Sequence, residues 1–102
     1  MTGAVSDSEI ERISSIVSPI ASRLGIEKVY LFGSRARGDN RGDSDYDFYV
    51  HSGEVDSILG MIGLMEELSK DLNREVDVVD AAVRDHPLLK RIDSEKVLIY
   101  ER

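Results

Sequence analysis

Phe32-Gly33-Ser34-Arg35-Ala36-Arg37-Gly38-Asp39-Asn40-Arg41-Gly42-Asp43-Ser44-Asp45-Tyr46-Asp47-Phe48-Tyr49-Val50 is the stretch on which the reading of this chain turns. It begins at the end of a β-branched and aromatic run, Lys28-Val29-Tyr30-Leu31-Phe32, that reads as a buried strand. Gly33-Ser34 ends that strand. Arg35-Ala36-Arg37 is long enough for one helical turn before Gly38, and Gly38 to Ser44 is a polar loop. Asp45 to Val50 then alternates at period two, as a second strand does. Asp45, Asp47 and Tyr49 share one of its faces, and Tyr46, Phe48 and Val50 share the other.

Upstream, Ser6-x-x-Glu9 is a capping box, and Ile10, Ile13, Ile16, Val17, Ile20 and Leu24 recur at helical spacing. Pro19 lies inside that pattern and predicts a kink or break, and Gly25 supplies the stop. Downstream, Glu54 to Asn73 is a second amphipathic helix with Val55, Ile58, Leu59, Ile62, Met65, Leu68 and Leu72 on its apolar stripe. Glu75 to Val79 is a third strand with Asp77 in its middle. Pro87 to Ile92 reads as a short helix, Pro87 suiting a first turn, and Lys96 to Tyr100 as a fourth strand. This succession specifies an α/β (α+β) fold, a small mixed sheet of about four strands with helices packed on it.

The composition narrows the class. The chain has 102 residues, 41 % hydrophobic and 32 % charged, as an ordinary globular domain has. That length fits one domain, residues 1–102, able to bury roughly 60–68 % of its unfolded surface. There are no cysteines, so disulfides, thiolate zinc sites and cysteine nucleophiles are excluded. No apolar run is long enough to span a membrane and Met1 to Ser8 has no signal-peptide character, so the expected location is cytoplasmic. Thirteen Lys and Arg against 20 Asp and Glu give a net charge of −7, which disfavours direct nucleic-acid binding and suits hard cations or a basic partner.

Three pieces carry chemistry. Gly33-Ser34, between a strand and a helical turn, lets the backbone approach a ligand and offers N–H groups and a hydroxyl to a polyphosphate. It equally describes a tight turn with Ser34 as N-cap, and it is not a Walker loop. Asp45-x-Asp47 puts two carboxylates on one strand face, close enough to share a hard cation; a solvated outer face is the alternative. Asp77 interrupts Val76, Val78 and Val79, where a lone carboxylate is costly unless paired, metal-bound or at an open face. If the strands are neighbours, Asp77 completes a cluster with Asp45 and Asp47, and Asp80 competes for the role. Three carboxylates can hold two Mg²⁺ ions roughly 3.5–4 Å apart for in-line displacement at phosphorus. Asp77 would then stand nearest the attacking hydroxyl as a proton acceptor. Arg35 and Arg37 could clamp the triphosphate, or be surface charge beside Asp39 and Asp43.

Gly33-Ser34, ten residues, then Asp45-Tyr46-Asp47 resembles the signature of the nucleotidyltransferase superfamily that includes DNA polymerase β. Leu31 to Gly38, Ser44 to Asp47, Leu88 to Ile92 and Val97 to Arg102 are similar, more narrowly, to the minimal nucleotidyltransferases, or MNT proteins. The resemblance implies a polymerase β-like fold and Mg²⁺-dependent transfer of AMP from ATP, with Asp45, Asp47 and Asp77 as metal ligands. Gly33, Ser34, Arg35 and Arg37 would bind the nucleotide. It further implies a HEPN-domain ribonuclease toxin as partner, silenced by AMP added to a tyrosine hydroxyl, with this chain as the antitoxin. All three carboxylates are present, and Asp39 and Asp43 are a mild departure that would weaken triphosphate attraction. Two other functions compete: a binding antitoxin without chemistry, and transfer to a small acceptor of aminoglycoside type, for which 102 residues leave no acceptor domain. Tyr49, on the face of the acids, is a candidate nucleotide contact. Tyr30, Tyr46 and Tyr100 read as packing residues, and His51 and His86 as surface residues.

Overall fold

A computed structural model describes residues 4–53, 58–83 and 85–102. Ser6 starts the first helix: its backbone is extended and its hydroxyl accepts the Glu9 N–H at 3.2 Å. The Glu9 carboxylate does not close the box but pairs with Arg12 at 2.9 and 2.7 Å. Helix α1 (Asp7–Leu24) runs through Pro19 without the expected break. Val17, Ile20 and Ala21, on both sides of the proline, are buried in the core, and that packing offsets the one hydrogen bond the ring removes. Gly25 ends α1 in the left-handed region, at φ 76°.

The strands are β1 (Lys28–Phe32), β2 (Tyr46–His51), β3 (Val76–Asp80) and β4 (Val97–Glu101), in the order β3-β2-β1-β4. β1 is antiparallel to both β2 and β4, whereas β2 and β3 are parallel, so the sheet is mixed. β2, β3 and β4 each start one residue later than the sequence pattern suggests, which leaves Asp45 at the mouth of β2. On one face, Val29, Leu31, Tyr46, Phe48, Val50, Val76 and Ile99 form the main core with α1 and the third helix. The opposite face carries Phe32 and Tyr49, with Tyr30 and Val79 beside them, under a single short helix contributing Ile92 and Leu89.

Helix α2 (Ser34–Arg37) is the single turn after β1. Helix α3 is described over Ile58–Leu72; the expected start at Glu54, and Val55, lie outside the described residues. Its inner stripe differs from the expected one. Leu64, Leu68 and Leu72 are buried and Met61 packs on them, while Leu59 is 80 % and Ile62 44 % exposed. The helix is apolar over two adjacent stripes. The outer one runs into Ser69 and Asn73, so contact with α1 and β3 selects the stripe that stays apolar to its end. Helix α4 spans Leu89–Glu95 rather than 87–92, with Pro87 in the preceding turn. Among the described residues no helix is long and apolar enough to cross a membrane.

The loop from Gly38 to Asp45 is held by Arg35, which is only 7 % exposed. Its Nε and Nη2 donate to the Ser44 carbonyl at 3.0 and 2.8 Å, and Nη2 also reaches the Gly42 carbonyl at 3.0 Å. The guanidinium lies 4.0 Å over the Tyr46 ring, whose hydroxyl accepts from Arg12 at 2.7 Å. A lysine supplies the charge but neither the planar stack nor the fork. Arg35→Lys is therefore expected to cost about 1–3 kcal/mol of stability, read by urea denaturation.

Candidate functional site

β1 ends where the second strand's chemistry begins: Phe32 pairs with Asp47 across the antiparallel seam, and Asp47 pairs with Asp77 across the parallel one. The residue after Phe32 passes directly over the Asp47 carboxylate. That residue is Gly33, at φ 79° and ψ −161°, where a Cβ would stand 2.4 Å from Asp47 Oδ2. Glycine is required twice here, by its backbone angle and by the space. The turn is capped by no side chain, so Ser34 is not the N-cap; it lines the cleft that opens beside Asp47.

That cleft, about 300 Å³, is bounded by Gly33, Ser34, Arg37, Asp47, Arg91 and Glu95, with Phe32, Leu88 and Ile92 as its apolar wall. Arg37 reaches it from α2, held protonated by Asp39 at 3.0 Å and by Glu95 at 3.1 Å. Arg35 does not line it. Its guanidinium is spent on the 38–45 loop, so of the two arginines expected at the cleft Arg37 alone lines it, together with Arg91 from α4. Tyr49 shares the sheet face of the acids but packs against Ile92, with Lys96 Nζ 5.5 Å from its ring, and it does not line the cleft beside Asp47.

Asp47 is the electrostatic centre of this region. Burial beneath Gly33, then the carboxylates of Asp77 and Asp45, push its pKa up to about 6. Arg37 opposes that rise and Glu95 adds to it. Asp45 and Asp77 are both exposed, one at the entrance of β2 and the other on edge strand β3. Among the described residues no three His, Cys, Asp or Glu side chains are already gathered around a metal position. The donor set nonetheless fits a hard cation, being all carboxylate oxygen, and the charge crowding on Asp47 is what a divalent ion relieves.

Glu95, Arg91 and Leu88 are not among the expected site residues; the expected helix, 87–92, contains Leu88 and Arg91 but stops short of Glu95. The available signal was the i,i+4 spacing of Arg91 and Glu95; in the structure Arg91 Nε stands 3.6 Å from Glu95 Oε1. His51 packs edge-on against Tyr30 and Tyr49, and His86 Nδ1 accepts from the Leu88 N–H at 3.1 Å, so both histidines have structural contacts away from the acids.

A relative from Methanocaldococcus jannaschii, provisionally named a protein adenylyltransferase, is 39 % identical over 89 residues, covering 86 % of this chain and 95 % of its own. The protein adenylyltransferase MntA of Thermococcus cleftensis is 32 % identical over 94 residues, covering 88 % and 95 %. In the fold, the chain is similar to a solved structure of the tri-AMPylated HEPN toxin of Shewanella oneidensis in complex with MNT antitoxin. The TM-score is 0.68 at 17 % identity, over 91 % of this chain and 73 % of that one. The model of the family described as polymerase beta, nucleotidyltransferase matches residues 14–102 and so takes in Gly33, Ser34 and all three aspartates: this chain belongs to the polymerase β nucleotidyltransferase family.

Proposed function

We propose that this chain is a protein adenylyltransferase that moves AMP from ATP to a tyrosine hydroxyl of a HEPN-domain ribonuclease and so acts as its antitoxin. The observation that carries the reading is the stacking of Gly33 over Asp47, with Asp47 in register with Asp77. It sets a phosphate-sized corner against a pair of acids on adjacent strands. The names of the two relatives and the AMPylated toxin of the Shewanella complex support adenylyl transfer and the partner class.

In this reading the Gly33 N–H, the Ser34 hydroxyl and Arg37 hold the phosphates of ATP. Asp45, Asp47 and Asp77 are the residues that would hold Mg²⁺, as two ions, which when bound offsets charge on the leaving pyrophosphate and acidifies the acceptor hydroxyl. Asp77, exposed on the edge strand, faces the incoming acceptor and takes its proton. The acceptor oxygen bonds to the α-phosphorus as the bond from that phosphorus to the bridging oxygen breaks, and pyrophosphate leaves. Gly33 shields Asp47 from solvent, so its carboxylate must ionise against burial before it can bind a cation.

The partner incubated with this chain, ATP and Mg²⁺ is expected to gain one or more AMP units by intact-mass spectrometry, and to gain none with the Asp45→Asn/Asp47→Asn variant. A stable complex without any mass increment would favour neutralisation by binding alone.

The raised pKa of Asp47 gives two further expectations. Its folded value, about 6, lies above the unfolded value near 3.8, so the fold binds a proton that the unfolded chain releases. Stability from this group is present below pH ~4 and is lost as pH rises through ~6. Asp47→Asn is expected to raise Tm at pH 7 by about 2–5 °C and to flatten the pH dependence between those values, measured by thermal melts. Transfer by the parent chain at sub-saturating Mg²⁺ should fall as pH drops through ~6, and more Mg²⁺ should move that fall to lower pH, because proton and cation compete for the carboxylate.

A further inference from the structure

The anion-accepting corner of the cleft already holds an anion. Glu95 Oε2 accepts the Gly33 N–H at 2.6 Å, and Arg37 Nη1 lies 3.1 and 3.2 Å from the two carboxylate oxygens. Arg91 adds its Nε at 3.6 Å, and the Glu95 side chain is only 11 % exposed. Apart from Arg91, one turn earlier, the helix itself does not favour a carboxylate there. Glu95 is the last residue of α4, where the carbonyl end of a helix repels negative charge, and it adds to the charge that burdens Asp47. Its position follows from the donors that converge on it, a backbone N–H and two guanidinium groups, which together describe a phosphate oxygen's surroundings.

We infer that Glu95 is an internal stand-in for a nucleotide phosphate, occupying the Gly33–Arg37 corner until a polyphosphate displaces it, and so is the residue that sets affinity for the nucleoside triphosphate. The inference rests on the proposed placement of ATP phosphates at Gly33 and Arg37. A carboxylate and a phosphate cannot accept from the same Gly33 N–H at once, so entry of the ligand requires the Glu95 side chain to leave. α4 stays anchored through Ile92, which is fully buried, so displacement needs a side-chain rotation rather than loss of the helix. Arg91, 60 % exposed, is then free to turn to the incoming phosphate.

Calorimetric titration with inorganic tripolyphosphate, without metal or nucleoside, tests this. Glu95→Gln keeps an acceptor for Gly33 but loses the charge, and should bind about tenfold more tightly than the parent, the order of one charge-assisted contact no longer competed away. Glu95→Asp, which withdraws the charge by one methylene, should fall between the two and serves if the glutamine variant does not fold. In the parent, the Gly33 amide resonance should move on titration as its acceptor is exchanged, a response that general charge repulsion would not give. Unchanged affinity in both variants, or a Gly33 resonance that stays in place, overturns the inference. If Arg37→Ala weakens tripolyphosphate binding while the Glu95 variants match the parent, the inference alone falls. If Arg37→Ala also has no effect, the placement of the phosphates falls with it.

Discussion

The chain leaving β1 has to cross directly above a carboxylate. Phe32 is in register with Asp47, so the next residue lies over the Asp47 side chain, and a Cβ there would sit 2.4 Å from Oδ2. Only glycine satisfies both that contact and the backbone angle of φ 79°. Much of the site follows. The close approach buries Asp47 and pushes up its pKa, and the same corner aims the Gly33 N–H and the first turn of α2 into the cleft. A larger residue at that position would have to push the Asp47 carboxylate aside.

The period-two alternation of β2 then divides the molecule. Tyr46, Phe48 and Val50 enter the core with α1 and α3, and Asp47 and Tyr49 turn to the face on which α4 packs. One strand thereby anchors the fold with one set of side chains and presents chemistry with the other. α4 covers Tyr49, and the cleft beside Asp47 lies between that helix and the Gly33–Ser34 turn. Among the described residues the β2–β3 seam is the only parallel one, and it brings in Asp77 at the level of Asp47.

Arg35 and Glu95 show how far local pattern reaches. Two arginines two residues apart, beside a phosphate corner, look equivalent in sequence. The fold separates them: Arg35 turns under the loop to satisfy two carbonyls and stack on Tyr46, and Arg37 faces the cleft. Glu95 looks like one more surface acid near the end of the chain until α4 docks and brings its carboxylate to Gly33, 62 positions away in sequence. Pro19 and the α3 stripe belong with these cases. Packing on both sides of the proline outweighed one missing hydrogen bond, and two overlapping apolar stripes were separable only by what each could be packed against.

The sequence by itself determined what short-range periodicity and glycine chemistry can determine: the strands β1 to β4 to within a residue, α1 and its cap, the one-turn helix after Gly33, and the division of Tyr46, Phe48 and Val50 from Tyr49 across β2. These depend on neighbours within a few positions, where the chain's geometry leaves few alternatives. The tertiary structure decided which distant groups meet: Asp77 against Asp47 through a parallel register, Arg37 rather than Arg35 at the cleft, Tyr49 beneath α4, and Glu95 on the Gly33 amide. Those contacts are set by how helices and strands dock, and docking is governed by the summed burial of many side chains, which no single stretch of sequence contains.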